Sequence, residues 1–137
     1  MQYPAPILGL GEEGYAFFGK VPLAVGPPNG WHGDERSAYV VDTASDIWRS
    51  PYLVPFGRER VVQVYDKNAH VGINVERVPP SMVLIGREPA DQTHYTLVEQ
   101  DVQERRFLLW GFQTGPRAMT GDGRHLFVNV VRRLAGM

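Results

Sequence analysis

Phe107-Leu108-Leu109-Trp110-Gly111-Phe112-Gln113-Thr114-Gly115-Pro116-Arg117 is the stretch on which the reading of this chain turns. Its apolar run predicts the most buried strand of the protein, and Gly115-Pro116 ends it in turn chemistry. Beyond the turn, Thr120 or Asp122 can cap a helix, because a side-chain oxygen there accepts from the first free backbone N–H groups. Leu126, Phe127, Val130, Val131 and Leu134 recur at helical spacing and predict one packed face. Arg132 and Arg133 fall in the last turn, where cations complement the helix dipole. Pro6-Ile7-Leu8-Gly9-Leu10-Gly11-Glu12-Glu13-Gly14-Tyr15-Ala16-Phe17-Phe18 repeats the same strand–turn–helix order. Residues 6–10 predict a strand buried on both faces. Glu12 and Glu13 then sit where a helix start favours anions, and Tyr15 to Phe18 make a short helix closed by Gly19.

Between these ends the pattern is β-rich. Leu23-Ala24-Val25 predicts a short strand, stopped by Gly26-Pro27-Pro28-Asn29-Gly30. Residues 31–55 are expected to be irregular, with one helical turn at Ser45-Asp46-Ile47-Trp48. Residues 61–65 and 71–75 predict two strands, and Asp66-Lys67-Asn68 between them suggests a β-hairpin. Residues 82–85 and 95–99 add two more strands. No repeat or linker divides the 137 residues, so one domain is expected.

Composition excludes several function classes. The 43% hydrophobic and 11% aromatic content supports a real core. A formal charge of −1 with no clustered basic run argues against nucleic acid as partner. Without cysteine there is no thiolate nucleophile, disulfide or Cys-ligated metal. His32, His70, His94 and His125 lack metal-ligand spacing, so no metal or other cofactor is expected. No run approaches the ~20 apolar residues that span a bilayer, and no leader is visible; no membrane partner is expected, and a cytoplasmic location is the default.

Both end segments resemble the class I glutamine amidotransferase-like superfamily. Gly9-Leu10-Gly11-Glu12-Glu13 lies on that family's Gly-x-Cys-x-Gly nucleophile elbow, with Gly11 at the cysteine position. Gln113-Thr114-Gly115-Pro116-Arg117 lies on its Gln-Phe-His-Pro-Glu turn, with Gly115 at the histidine and Arg117 at the glutamate. The wording of the flanks, down to Met119-Thr120 and Gly123-Arg124, is closest to non-catalytic, trehalose-utilisation-like relatives. The resemblance covers the first 30 and last 35 residues or so and implies a flavodoxin-like three-layer sandwich. The sandwich would be incomplete, with N-terminal strands absent and a β-rich antiparallel insertion in the middle.

Attack on an amide needs a nucleophile, a base in hydrogen-bond reach and a group that orients the base. Glycine at two of those three positions supplies no functional atom. The chain therefore reads as a catalytically inactive binding or structural module, a partial domain of a larger protein or assembly. The ligand candidates are Gly11, Glu12, Glu13, His32 and Arg117, taking a small polar molecule or a carbohydrate. A first strand buried on both faces next to Met1 further predicts that a second copy or an upstream segment covers it. The competing reading is a hydrolase or isomerase of altered chemistry, acting on a small polar or sugar substrate through Glu12 and His32. A third is a β-rich carbohydrate- or protein-binding domain unrelated to the superfamily. His125 reads as exposed or hydrogen-bonded on the last helix, Arg124 as an electrostatic cap for its neighbourhood, Asn129 as a partner for backbone, and Trp48 and Trp110 as core.

Overall fold

The computed structural model describes residues 5–11, 30–32, 36–69, 71–74, 78, 80–90, 92–102 and 104–136. Among the described residues, eight strands form one mixed sheet: β1 (Ile7–Leu10), β2 (Gly30–His32), β3 (Ser37–Val40), β4 (Val61–Gln63), β5 (Val71–Asn74), β6 (Met82–Arg87), β7 (His94–Val102) and β8 (Arg105–Trp110). The spatial order is β1-β8-β7-β6-β3-β4, and β5 joins β7 and carries β2. β1 and β8 run parallel, and every other described pairing is antiparallel. One α-helix among the described residues, α1 (Gly121–Leu134), packs on the sheet. The fold class is mixed α/β.

β8 alternates its side chains across the sheet, so Leu108 and Trp110 face one way and Phe107 and Leu109 the other. All four are buried, so this strand is covered on both faces. The core proper lies on the Leu108–Trp110 face, where Leu126, Val130 and Leu134 of α1 meet Leu97, Val62 and Ile85. At 3.6 residues per turn Val131 falls about 140° round the helix from Leu126. It is accordingly 38% exposed, a correction to the predicted apolar face. The buried arc instead takes in Gly123 and Asn129.

Thr120 is the N-cap of α1, its hydroxyl accepting from Gly123 N at 2.9 Å. The same hydroxyl donates to the Gln63 carbonyl at 2.6 Å, so the cap also fastens the helix to the end of β4. At the other end of α1, Arg133 reaches the buried carboxylate of Glu99 on β7 at 3.2 Å. Arg106 pairs with the other Glu99 oxygen at 3.1 Å, as an ion contact without hydrogen-bond alignment. Two guanidinium groups thereby offset the cost of burying one carboxylate.

Three expectations change. The strands at 61–65 and 71–75 do not form a hairpin: β4 pairs with β3, and β5 with β2 and β7. After β4 the chain instead ties itself to the segment before α1, through a Tyr65–Met119 bridge and Asp66 N donating to Ala118 O at 2.8 Å. The region 31–55 is less irregular than its composition suggests, since it contributes β3 to the interior of the sheet, between β4 and β6. Ser37-Ala38-Tyr39-Val40 is too short for its alternation to stand out, and its place comes from partners more than twenty residues away. Residues 7–10 do form a strand, but Leu10 is 52% exposed, so it is not covered on both faces along its whole length. The expected helical turn near Ser45 is a 3-10 turn, Asp46–Trp48, capped by the Ser45 hydroxyl. The expected helix at 15–18 and strand at 23–25 lie outside the described residues.

Candidate functional site

β1 and β8 are parallel neighbours whose last registered pair is Leu10 with Trp110, so both strands leave the sheet at the same edge. In an open α/β sheet, the crevice beyond such carboxyl ends is where ligands bind. Gly11 turns out of β1 with φ +60°, a conformation that glycine adopts without steric cost. A Cβ built on Gly11 would lie 3.2 Å from the Phe112 carbonyl oxygen. A side chain here therefore meets both an unfavourable backbone conformation and a tight contact. Gly11 and the turn after β8 thus lie against each other, although about one hundred residues separate them in sequence.

The crevice contains a cavity of about 170 Å³. Leu10 and Gly115 both line it, one from each end segment. Trp110, Phe112 and Phe127 form an aromatic wall: Trp110 lies 5.0 Å from Phe112 and edge-on to Phe127 at 5.1 Å, between ring centroids. Tyr65 enters from the far side of the sheet order, 5.3 Å from the Phe112 ring, and Met119 and Pro116 complete the lining.

The polar groups of this wall satisfy one another. Trp110 Nε1 donates to the Tyr65 hydroxyl at 3.1 Å, and that hydroxyl donates to the Thr114 carbonyl at 2.9 Å. The chain of two bonds holds the Thr114–Gly115 turn against the sheet. Burial pushes the Tyr65 phenol above the ordinary tyrosine value, and the bond from Trp110 offsets part of that rise. The folded protein thus holds the phenolic proton more tightly than the unfolded chain does. Stability from this source is complete below about pH 10, the unfolded value, and falls as pH rises through the higher native value. Tyr65→Phe is expected to cost about 1–2 kcal/mol near neutral pH, since Trp110 loses its acceptor and Thr114 its donor. The variant should also show a shallower loss of stability above pH 10. Urea unfolding at pH 8 and pH 11 checks both expectations; equal slopes in the two proteins would refute the second.

Of the candidate residues, Gly11 lies in the crevice and Arg117 at its margin. Arg117 occupies the 3-10 turn Pro116–Ala118, is exposed, and makes no ion pair among the described residues. Gly115 has φ −69° and ψ 171°, and a Cβ there meets nothing within 4 Å, so that position is open to any side chain. Glu12 and Glu13 lie outside the described residues. His32 is described through its backbone, as the last residue of β2, a correction to the expected loop at Trp31-His32. β2 reaches the sheet through β5, which pairs with β7 at Tyr95 and His94, beyond the Leu97–Trp110 pair. His32 thus belongs to a part of the sheet that extends past the carboxyl end of β8. His125 is exposed on α1 and stacks on Tyr52 at 4.5 Å, away from the cavity lining.

Among the described residues, no group of three His, Asp or Glu side chains could hold a metal ion, and no helix is long and apolar enough to cross a membrane. Sequence reasoning missed Tyr65, Phe112, Thr114, Met119 and Phe127 as lining residues, because each reads locally as an ordinary strand, turn or helix-face residue. A faint signal was the density of aromatics around Gly111. No family model, curated protein or solved structure matches this chain.

Proposed function

We propose that this chain is a non-catalytic, glutamine amidotransferase-like module that binds a small molecule in the crevice at the carboxyl ends of β1 and β8. The observation that carries this reading is the meeting of the two end segments: Gly11 packs on Phe112, and Leu10 and Gly115 line one cavity. A scaffold derived from an amidase would have its nucleophile and base here. The positive φ at Gly11, immediately after a strand, is in keeping with the sharp turn of a nucleophile elbow. The two-faced burial of β8 is in keeping with the inner layer of a flavodoxin-like sandwich. Yet glycine stands at 11 and 115, and Arg117 is exposed, so the three positions that align with the family's triad supply neither an attacking atom nor a base.

The reading predicts no glutamine hydrolysis above the protein-free background. Ammonia release from glutamine, followed at neutral pH with wild type and with Gly115→Leu, tests it. Turnover by the wild type that disappears in the variant would overturn the non-catalytic reading. Arg117→Ala should leave glutamine hydrolysis at background and change stability, read by urea unfolding, by no more than about 0.5 kcal/mol, as for other exposed side chains.

A further inference from the structure

We infer that the ligand taken by this crevice is a small, flat, apolar molecule, a single aromatic ring or one of similar size, and not a sugar or an amino acid. This inference rests on the binding reading above and narrows it. Three features of the cavity support it.

The first is size. At about 170 Å³ the space is close to the apolar cavities of roughly 150 Å³ that admit benzene in engineered proteins. A pyranose would lose the water around whichever of its hydroxyls entered this largely apolar space.

The second is the state of the polar groups. The Tyr65 hydroxyl and the Trp110 ring N–H, two of the side-chain groups able to recognise a polar ligand, are bonded in series to the Thr114 carbonyl, so both of their hydrogens are already engaged. A ligand carboxylate or carbonyl therefore finds neither of these two donors free and would have to break the series or enter unpaired. An unpaired polar group taken from water is strongly disfavoured.

The third is the arrangement of the rings. Trp110 and Phe127 stand edge-on at 78° and Trp110 and Phe112 are tilted at 57°, so neither neighbour in this wall lies parallel to Trp110. Such walls favour another ring in offset or edge-to-face contact.

Met119 lines the cavity and is 7% exposed, and the chain has four methionines, so its methyl group is a resolvable local reporter. The experiment is titration of methyl-13C-methionine protein with toluene, glucose and glutamine, with the Met119 resonance identified by Met119→Leu. Toluene is expected to shift that resonance saturably through its ring current, while Met82 stays in place. Gly115→Leu puts a side chain at the mouth, where the backbone tolerates it, and should weaken toluene binding at least about tenfold by taking up the space that buries the ring. An unchanged Met82 resonance in Gly115→Leu verifies its fold, and if that variant does not fold, the wild-type titration decides alone. A shift with glucose or glutamine and none with toluene would overturn the apolar ligand while leaving a binding module standing. No shift with any probe would overturn both.

Discussion

Gly123→Ala is expected to destabilise the fold by about 3 kcal/mol, although alanine is the better helix former by about 1 kcal/mol. The reason is packing at the first turn of α1. A Cβ on Gly123 would overlap the carbonyl oxygen of Val64, and the Val64 carbonyl carbon and Cα lie close behind it. Backbone cannot rotate away as a side chain would. Relief requires α1 to lift from the end of β4, and the lift stretches the bonds that Thr120 makes to Gln63 O and Val64 O. Gly121, two residues earlier in the same helix, meets nothing within 4 Å. Gly121→Ala should therefore stabilise, by about 0.5 kcal/mol, through reduced freedom of the unfolded chain. Urea unfolding of the two variants beside wild type reads the contrast. Equal effects, or a stabilised Gly123→Ala, would mean that the helix does not approach the sheet this closely.

Asn129→Ala is expected to cost a similar amount, also about 3 kcal/mol, through lost backbone partners. Asn129 is fully buried on α1 and makes three bonds to one loop. Its amide nitrogen donates to Ile47 O at 2.8 Å and Tyr52 O at 2.7 Å, and its amide oxygen accepts from Tyr52 N at 3.1 Å. The loop carries Ile47, Trp48 and Val54 into the core, so the side chain substitutes for the strand partner that this irregular segment lacks. At the alanine variant the Ile47 carbonyl stays buried without a donor, whereas the Tyr52 groups regain water in part because Tyr52 is 45% exposed. Val128→Ala, one residue away at a 39% exposed position, should stay within about 1 kcal/mol of wild type. Chemical unfolding, with limited proteolysis to locate the loosened segment, checks the pair. Cleavage that begins anywhere other than 47–54 in Asn129→Ala would argue against the clamp.

The two predictions differ in how far the sequence anticipates them. Asn129 could be marked in advance as a polar residue on an otherwise apolar arc, but the identity of its partners could not. Gly123 looked like an ordinary part of a glycine-rich helix start, and only the position of Val64 gives it its weight. The crevice follows the same division. The strand–turn–helix order at the carboxyl-terminal end and the strand at 7–10 are visible in local composition, and so is the lack of a side chain at Gly11 and Gly115. That the cavity wall is aromatic, with its polar groups already bonded to one another, depends on Tyr65 arriving from forty-five residues before Trp110.

By itself the chain's order of residues determined where the final helix and most of the longer strands lie, because alternation, helical spacing and a capping hydroxyl act within a few residues of one another. It also determined that Gly11 and Gly115 carry no side chain. Tertiary structure alone decided that the segments at 61–65 and 71–75 take separate partners, that Ser37–Val40 enters the sheet interior, and that residues 11 and 112 touch. Pairing between strands is chosen by burial summed over the whole sheet, and no local window of the sequence contains that sum.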